Sequence, residues 1–323
     1  MTAGDDDVMT GQVASHDPDR AIWSDMLGSR SEGWSLHPVS RLTGVDDAPG
    51  LIGRAGIVTH FPVSPEFANL FHAWQGPDAE MKAAWDSPSG QLYTWRWELG
   101  RQEVAFYGTA VRGKPTWLAW DLLPALLALR GDTRPPAAQH ADGLLSDDAL
   151  RVAEALEHNG GTLSTPDLRR AAGFETGKDR RAAYLRAVAE LDRRLLVGRT
   201  FGPPDDIDDT DMRQTLIAAR YPDAVAAAEG LAPDEAIRTL LVRYLGAAAF
   251  VRPVIFARHL GLERRAVEAA LADLAREGLV RPVRPADEKQ DVMVMTTLPD
   301  LIDPIADRSF PDISPGHVRP VRP

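Results

Sequence analysis

At 323 residues, 44% hydrophobic and 26% charged, the chain has the make-up of a globular protein with two or three domains. It has no cysteine, which excludes disulfides, thiolate zinc sites and a cysteine nucleophile. No apolar run approaches the roughly 18–20 residues that span a bilayer, and the Asp-rich start has no apolar signal core, so the expectation is a cytoplasmic protein with no membrane partner.

A net charge of −11 argues against a polyanionic partner until it is mapped along the chain. Residues 1–25 carry six Asp against one Arg, and Asp205, Asp206, Asp208, Asp209 and Asp211 crowd one short stretch. The excess acid thus sits almost wholly in two segments, and the remainder is close to neutral.

In chain order, residues 1–40 are polar and aperiodic, which predicts a disordered or loosely packed N-terminus. Residues 41–131 predict a mixed N-terminal domain. It has a weak helix over 48–58, an extended stretch at 60–63 and a helix over 65–74. Strands follow at 105–110 and 115–118 around the turn Val111-Arg112-Gly113-Lys114, then an apolar helix over 121–130. Helices leading into a hairpin allow a degenerate winged helix here. Pro135 and Pro136 mark 133–142 as a linker.

Two similar modules follow, over 143–203 and 212–297. In the first, Leu150, Val152, Ala155 and Leu156 sit at helical spacing, and Gly160 and Gly161 end that helix. Thr165 and Pro166 start a short helix that stops near Gly173. A long helix over 178–195 presents Leu185, Val188, Leu191 and Leu195, and runs into a strand at 196–201. The second repeats the plan with helices over 234–245, 253–261 and 264–277 and a hairpin wing around 286–290. Helix, short helix, long helix and hairpin is the winged-helix order, whose third helix suits the major groove. The fold class expected is therefore mainly α with small β-hairpins (α+β): tandem winged-helix modules behind a mixed domain. The acidic loop 204–212 lies between the modules, and residues 298–323 read as an extended Pro-rich tail.

Cations concentrate where such modules meet DNA. Residues 164–202 hold nine Lys/Arg against five acids, and residues 252–284 hold seven against four. Lys178, Arg180 and Arg181 lie at the N-terminal end of the first long helix, and Arg264 and Arg265 hold the matching place in the second. Arg169, Arg170, Arg199, Arg258 and Arg281 complete the two faces, and Arg112 and Lys114 mark the N-terminal hairpin turn. All are candidate contacts to double-stranded DNA; the bland alternative is a solvated helix face. Tyr93, Trp95, Trp97, Phe106, Tyr107, Trp117 and Trp120 bracket that turn. They read either as strand and helix core or as platforms for an unpaired base.

Catalytic signatures are missing. The eight histidines are scattered, no phosphate-binding Gly-rich loop or nucleophile elbow occurs, and no spacing singles out a carboxylate pair. No cofactor and no metal are expected.

The tandem modules resemble the winged-helix repeats of the AlkZ/YcaQ-like DNA glycosylases. Three stretches resemble a motif of the proteins called AlkZ-related: Tyr93-Thr94-Trp95-Arg96-Trp97-Glu98-Leu99, Ala105-Phe106-Tyr107-Gly108 and Arg112-Gly113-Lys114-Pro115-Thr116-Trp117. The resemblance covers about 41–297. It implies DNA binding, and for the family's enzymes the excision of alkylated bases and unhooking of crosslinks by a Gln-x-Gln or Gln-x-Asp motif. Here Gln12, Gln75, Gln91, Gln102, Gln139, Gln214 and Gln290 each lack Gln or Asp two positions on, so no catalytic residue carries over. Three readings stand at this point. One is a damage-recognition or repair protein. The others are a winged-helix transcriptional regulator, whose N-terminal domain binds a small effector or protein partner, and a protein-interaction adaptor; DNA binding implies a cytoplasmic, nucleoid-associated location.

Overall fold

The computed structural model describes residues 18–202, 212–286 and 288–297. The chain opens with α1 (Pro18–Gly33), α2 (Ala48–Ala55), β1 (Ile57–Thr59), β2 (Ala68–Asn69), α3 (Leu70–Gln75) and α4 (Pro88–Arg101). A hairpin of β3 (Phe106–Val111) and β4 (Lys114–Leu118) follows, then α5 (Leu123–Arg130) and α6 (Pro136–Ala141). The next block is α7 (Asp147–His158), β5 (Thr162–Ser164), α8 (Thr165–Ala171), α9 (Lys178–Arg193), β6 (Val197–Thr200) and β7 (Arg213–Leu216). Two connecting helices, α10 (Ile217–Arg220) and α11 (Pro222–Glu229), lead to α12 (Pro233–Ala248), β8 (Phe250–Val251), α13 (Pro253–Leu260), α14 (Arg264–Arg276), β9 (Val280–Val283) and β10 (Val292–Met295).

This is an α+β fold in which one plan recurs. Helix, strand, two helices and a hairpin describe α7–β7 and α12–β10, and in both the first strand pairs with the last, giving the orders β6-β7-β5 and β9-β10-β8. The N-terminal third has the same plan from α2 to β4. There β1 pairs antiparallel with β4 and β4 with β3, and β2 is added in parallel at the edge.

Local signals account for the helices. Ser146 caps α7 by accepting the Ala149 N–H at 3.2 Å, and Asp147 and Asp148 sit in its first turn, favouring the positive end of the helix. Ser164, one residue before the expected Thr165, caps α8. In α9 the buried stripe is Tyr184, Ala187, Val188 and Leu191, while Leu185 is 55% exposed. The expected stripe began on the wrong residue.

Tertiary packing corrects the expected boundaries. Residues 18–33 form a helix rather than a loose tail, because Trp23, Met26, Arg30 and Trp34 share one face and are buried. Trp23 and Met26 close a small core with Phe250, Val283, Val292 and Val294 of the last repeat. The supposed linker contains α6, whose buried Gln139 donates to the carbonyls of Asp132 (3.0 Å) and Arg134 (2.8 Å). The boundary expected at 203/212 cuts through a sheet, since β7 pairs with β6 and β5. The acidic stretch looks like a linker by composition but joins two paired strands. Its residues 203–211, like 1–17 and the tail from 298, lie outside the described residues.

The first two repeats share one seven-stranded sheet, β2-β1-β4-β3-β6-β7-β5, joined where Tyr107 pairs with Arg199. Gly198 is required at that junction, because a Cβ there would stand 2.6 Å from the Phe106 ring. The last repeat has its own three-stranded sheet, but its helices share the N-terminal core: Leu240, Tyr244, Phe256 and Val267 pack with Leu51, Phe67 and Phe71.

Candidate nucleic-acid interface

At the start of α9, Lys178, Arg180 and Arg181 are exposed. Arg180 donates to the Gly173 carbonyl at 2.8 Å, and neither Lys178 nor Arg181 has a side-chain partner among the described residues. Cations at this end oppose the helix macrodipole at a cost of a few tenths of a kcal/mol each. A local conflict of that kind is expected where function, not folding, selects the residue. The start of α14 repeats it in weaker form: Arg264 pairs with Glu268 at 2.6 Å, and exposed Arg265 has no partner among the described residues.

The other candidates divide. Arg169 closes the α8–α9 loop by donating to the carbonyls of Phe174 (3.0 Å) and Glu175 (3.1 Å), and Arg170 bridges Asp167 (3.0 Å) and Glu175 (3.1 Å). Arg281 faces Asp19 of α1 at 3.6 Å. Arg199 differs from the exposed candidates: it points inward onto buried Asp192 at 2.6 Å, with 14% of its side chain exposed. Burial raises the Asp192 carboxyl above its ordinary value, and Arg199 opposes that rise.

The hairpin turn that carries Arg112 and Lys114 comes up beside Arg258, although Arg258 is far along the chain. The two-residue turn Arg112-Gly113 has φ of +51° and +68°, the geometry of a tight hairpin. The Arg112 N–H donates to the His259 carbonyl at 2.8 Å, which places the turn beside α13, and its guanidinium reaches the Val63 carbonyl at 3.3 Å. Arg258 lies exposed at the same spot, its guanidinium 3.5 Å from the His259 ring. Burial first, then the charges of Arg112 and Arg258, hold the His259 imidazole below its ordinary value.

The aromatic cluster also divides. Trp95, Phe106, Tyr107 and Trp117 are core. Trp117 donates its indole N–H to His60 Nδ1 at 3.2 Å, and His60 Nε2 donates to the Leu92 carbonyl at 3.0 Å, so the ring is held neutral. Burial takes this imidazole down to about 4. Trp120, half-buried, donates to the Glu103 carbonyl at 2.9 Å. Only Tyr93 and Trp97 stay on the accessible face of α4, with the Arg96 guanidinium 3.4 and 4.4 Å from their ring centres. Sequence reading missed Trp85, 75% exposed in the segment before α4. A lone Trp among small and charged residues was the available signal.

A buried charge cluster fixes the frame around these surfaces. Fully buried Glu66 accepts from the Arg252 N–H (2.9 Å), the Arg252 guanidinium (3.0 Å) and the Tyr244 hydroxyl (2.9 Å), and it faces Arg30 at 3.7 Å. Arg30 also lies over the rings of Phe250 (3.2 Å) and Trp34 (4.4 Å). Burial pulls the Arg30 guanidinium below its ordinary value and pushes the Tyr244 hydroxyl well up.

The family model for AlkZ-related proteins matches residues 42–240. The chain belongs to the AlkZ-related family. That match spans the first two repeats and ends inside α12. Among solved structures, the Streptomyces sahachiroi DNA glycosylase AlkZ superposes with a TM-score of 0.51 at 19% identity, over 85% of this chain and 70% of that one. At that identity the likeness is one of fold. No curated protein matches the chain. No described helix is long and apolar enough to cross a membrane.

Proposed function

We propose that this AlkZ-related chain binds duplex DNA in damage recognition or repair, with its two C-terminal repeats acting as winged helices and the starts of α9 and α14 lying against the major groove. One observation carries the reading: three exposed cations, none of them ion-paired among the described residues, stand at the N-terminal end of a 16-residue helix whose own dipole they oppose. Membership of a family named for AlkZ, and a fold like that of a DNA glycosylase, point to the same chemistry. Catalysis is a separate matter. The two buried acids among the described residues, Glu66 and Asp192, are each committed to arginines, and none of the seven glutamines belongs to a Gln-x-Gln or Gln-x-Asp pair.

The test is duplex affinity across a salt series for the wild type and for K178A/R180A/R181A. Each lost phosphate contact should reduce the slope of log K against log salt by about 0.9, so the triple variant should bind more weakly with a slope shallower by about 2–3. An unchanged affinity and slope would overturn the reading. Incubation with alkylated and undamaged duplexes then sorts the activity. Base release identifies an enzyme, retention of the damaged duplex without release a recognition protein, and sequence-selective retention of undamaged DNA a regulator.

A further inference from the structure

We propose that the groove between α4, residues 81–85 and the β3–β4 turn is a nucleotide site that takes one unpaired base of a DNA strand. The proposal rests on the DNA-binding reading above for the source of that nucleotide. Two cavities, of about 610 and 380 Å³, share Phe61, Lys82, Ala83 and Ser89 and so form one groove. Both volumes fall in the range of roughly 300–1,000 Å³ typical of small-molecule sites.

The lining combines two chemistries that a nucleotide also combines. Lys82, Arg112 and Lys114 supply positive charge, no acidic residue lines either cavity, and none of the three is ion-paired among the described residues. That suits a backbone phosphate. Phe61, Trp85 and Tyr93 supply π faces on which a base of any sequence can stack. Trp85 meets Tyr93 at 89° with ring centres 5.4 Å apart, and three-quarters of its surface stays open to solvent (75% exposed). An apolar peptide would use the rings but not the cations, and an inorganic anion the reverse.

Trp85 is presented by a braced segment. A Cβ on Gly90 would lie 2.4 Å from the Trp85 carbonyl oxygen, so only glycine lets the first turn of α4 rest on that backbone. Ser87 caps α4 by accepting the Gly90 N–H at 3.3 Å and donates to the Lys82 carbonyl at 2.9 Å, while the Lys82 N–H donates to Ser89 Oγ at 3.2 Å. These bonds spend local polar groups on fixing the backbone while the largest apolar side chain faces water. In the recurring plan, α4 and β3–β4 hold the places that α9 and β6–β7 hold in the next repeat.

The test uses fluorescence anisotropy with two end-labelled duplexes, one fully paired and one identical except for a single extrahelical adenosine. The full-length wild type should prefer the bulged duplex by about tenfold, in line with stacking measured on aromatic platforms. W85A should erase that preference and leave paired-duplex affinity within roughly twofold, and W85F should restore part of it. K82A/K114A should weaken bulge binding and flatten its salt slope. A wild type without preference, or a W85A variant that keeps it, overturns the proposal. The two readings fail separately. Paired-duplex binding with no bulge preference removes the groove and leaves α9. Trp85-dependent binding of the bulged duplex with no binding of the paired one removes α9 and leaves the groove.

Discussion

The repeat from α7 to β7 buries Leu156, Leu168, Phe174 and Leu191 in a core of its own, whereas the repeat from α12 to β10 shares one core with the N-terminal third through Leu240, Tyr244, Phe256 and Val267. The same plan is thus attached in two ways. The first is joined largely through strand pairing at Tyr107 and Arg199 and the close approach at Gly198. The second is fastened by apolar burial and by the Glu66 cluster, which ties α1 and the N-terminal third to α12 and β8. Cooperative units follow contiguous cores. The repeat with the unpaired cations at the start of α9 should therefore open independently, and the repeat with the paired Arg264 should unfold with the N-terminal third.

Breaking that contrast begins with Glu66. E66A leaves buried Arg30 and half-buried Arg252 without their shared acceptor, with Arg252 keeping only Glu288, and should lower stability by about 3 kcal/mol. Hydrogen exchange should show the loss in α12–β10 and the N-terminal third together, with α7–α9 keeping its protection; equal loss in both would end the two-unit picture. L156A, a fully buried leucine in the separate core, should cost about 3 kcal/mol. Its signature is the converse, with exchange rising in α7, α8 and α9 and unchanged in α12.

The smallest effect at neutral pH is that of His60, and it appears only in acid. Its folded value of about 4 lies below the ordinary 6.5, so the unfolded chain binds the extra proton between those pH values. Stability should fall by up to about 3 kcal/mol as pH drops through that window, and be unaffected above it. Urea melts of the wild type and H60Q from pH 7 to 4 check this: the variant should show the shallower dependence. Equal slopes would mean that the ring takes up its proton in the folded state at an ordinary pH.

Much of the fold was legible because its signals are local. Helices α7, α8, α9, α13 and α14 and the β3–β4 hairpin follow from apolar spacing, caps and turn glycines within a dozen residues. Helix α1 was hidden by its own composition, since Trp23, Met26 and Trp34 sit among Gly, Ser and Asp, and their stripe becomes decisive only when Phe250 and Tyr244 cover it. The candidate site was legible in part. Lys178, Arg180, Arg181 and Arg265 stay exposed as expected, but Arg199 reads the same in sequence and is drawn inward by Asp192, seven residues before it.

By itself the sequence determined the helices of the two C-terminal repeats, the β3–β4 hairpin and where cations accumulate, because those depend on neighbours within a turn or two. Tertiary structure alone decided which repeat shares a core with the N-terminal third, which arginines face solvent, and that Arg112 meets His259 or Glu66 meets Arg252 across 186 residues of chain. The physical reason is that a charge is free or spent according to what is buried beside it, and burial is a property of the whole packed chain.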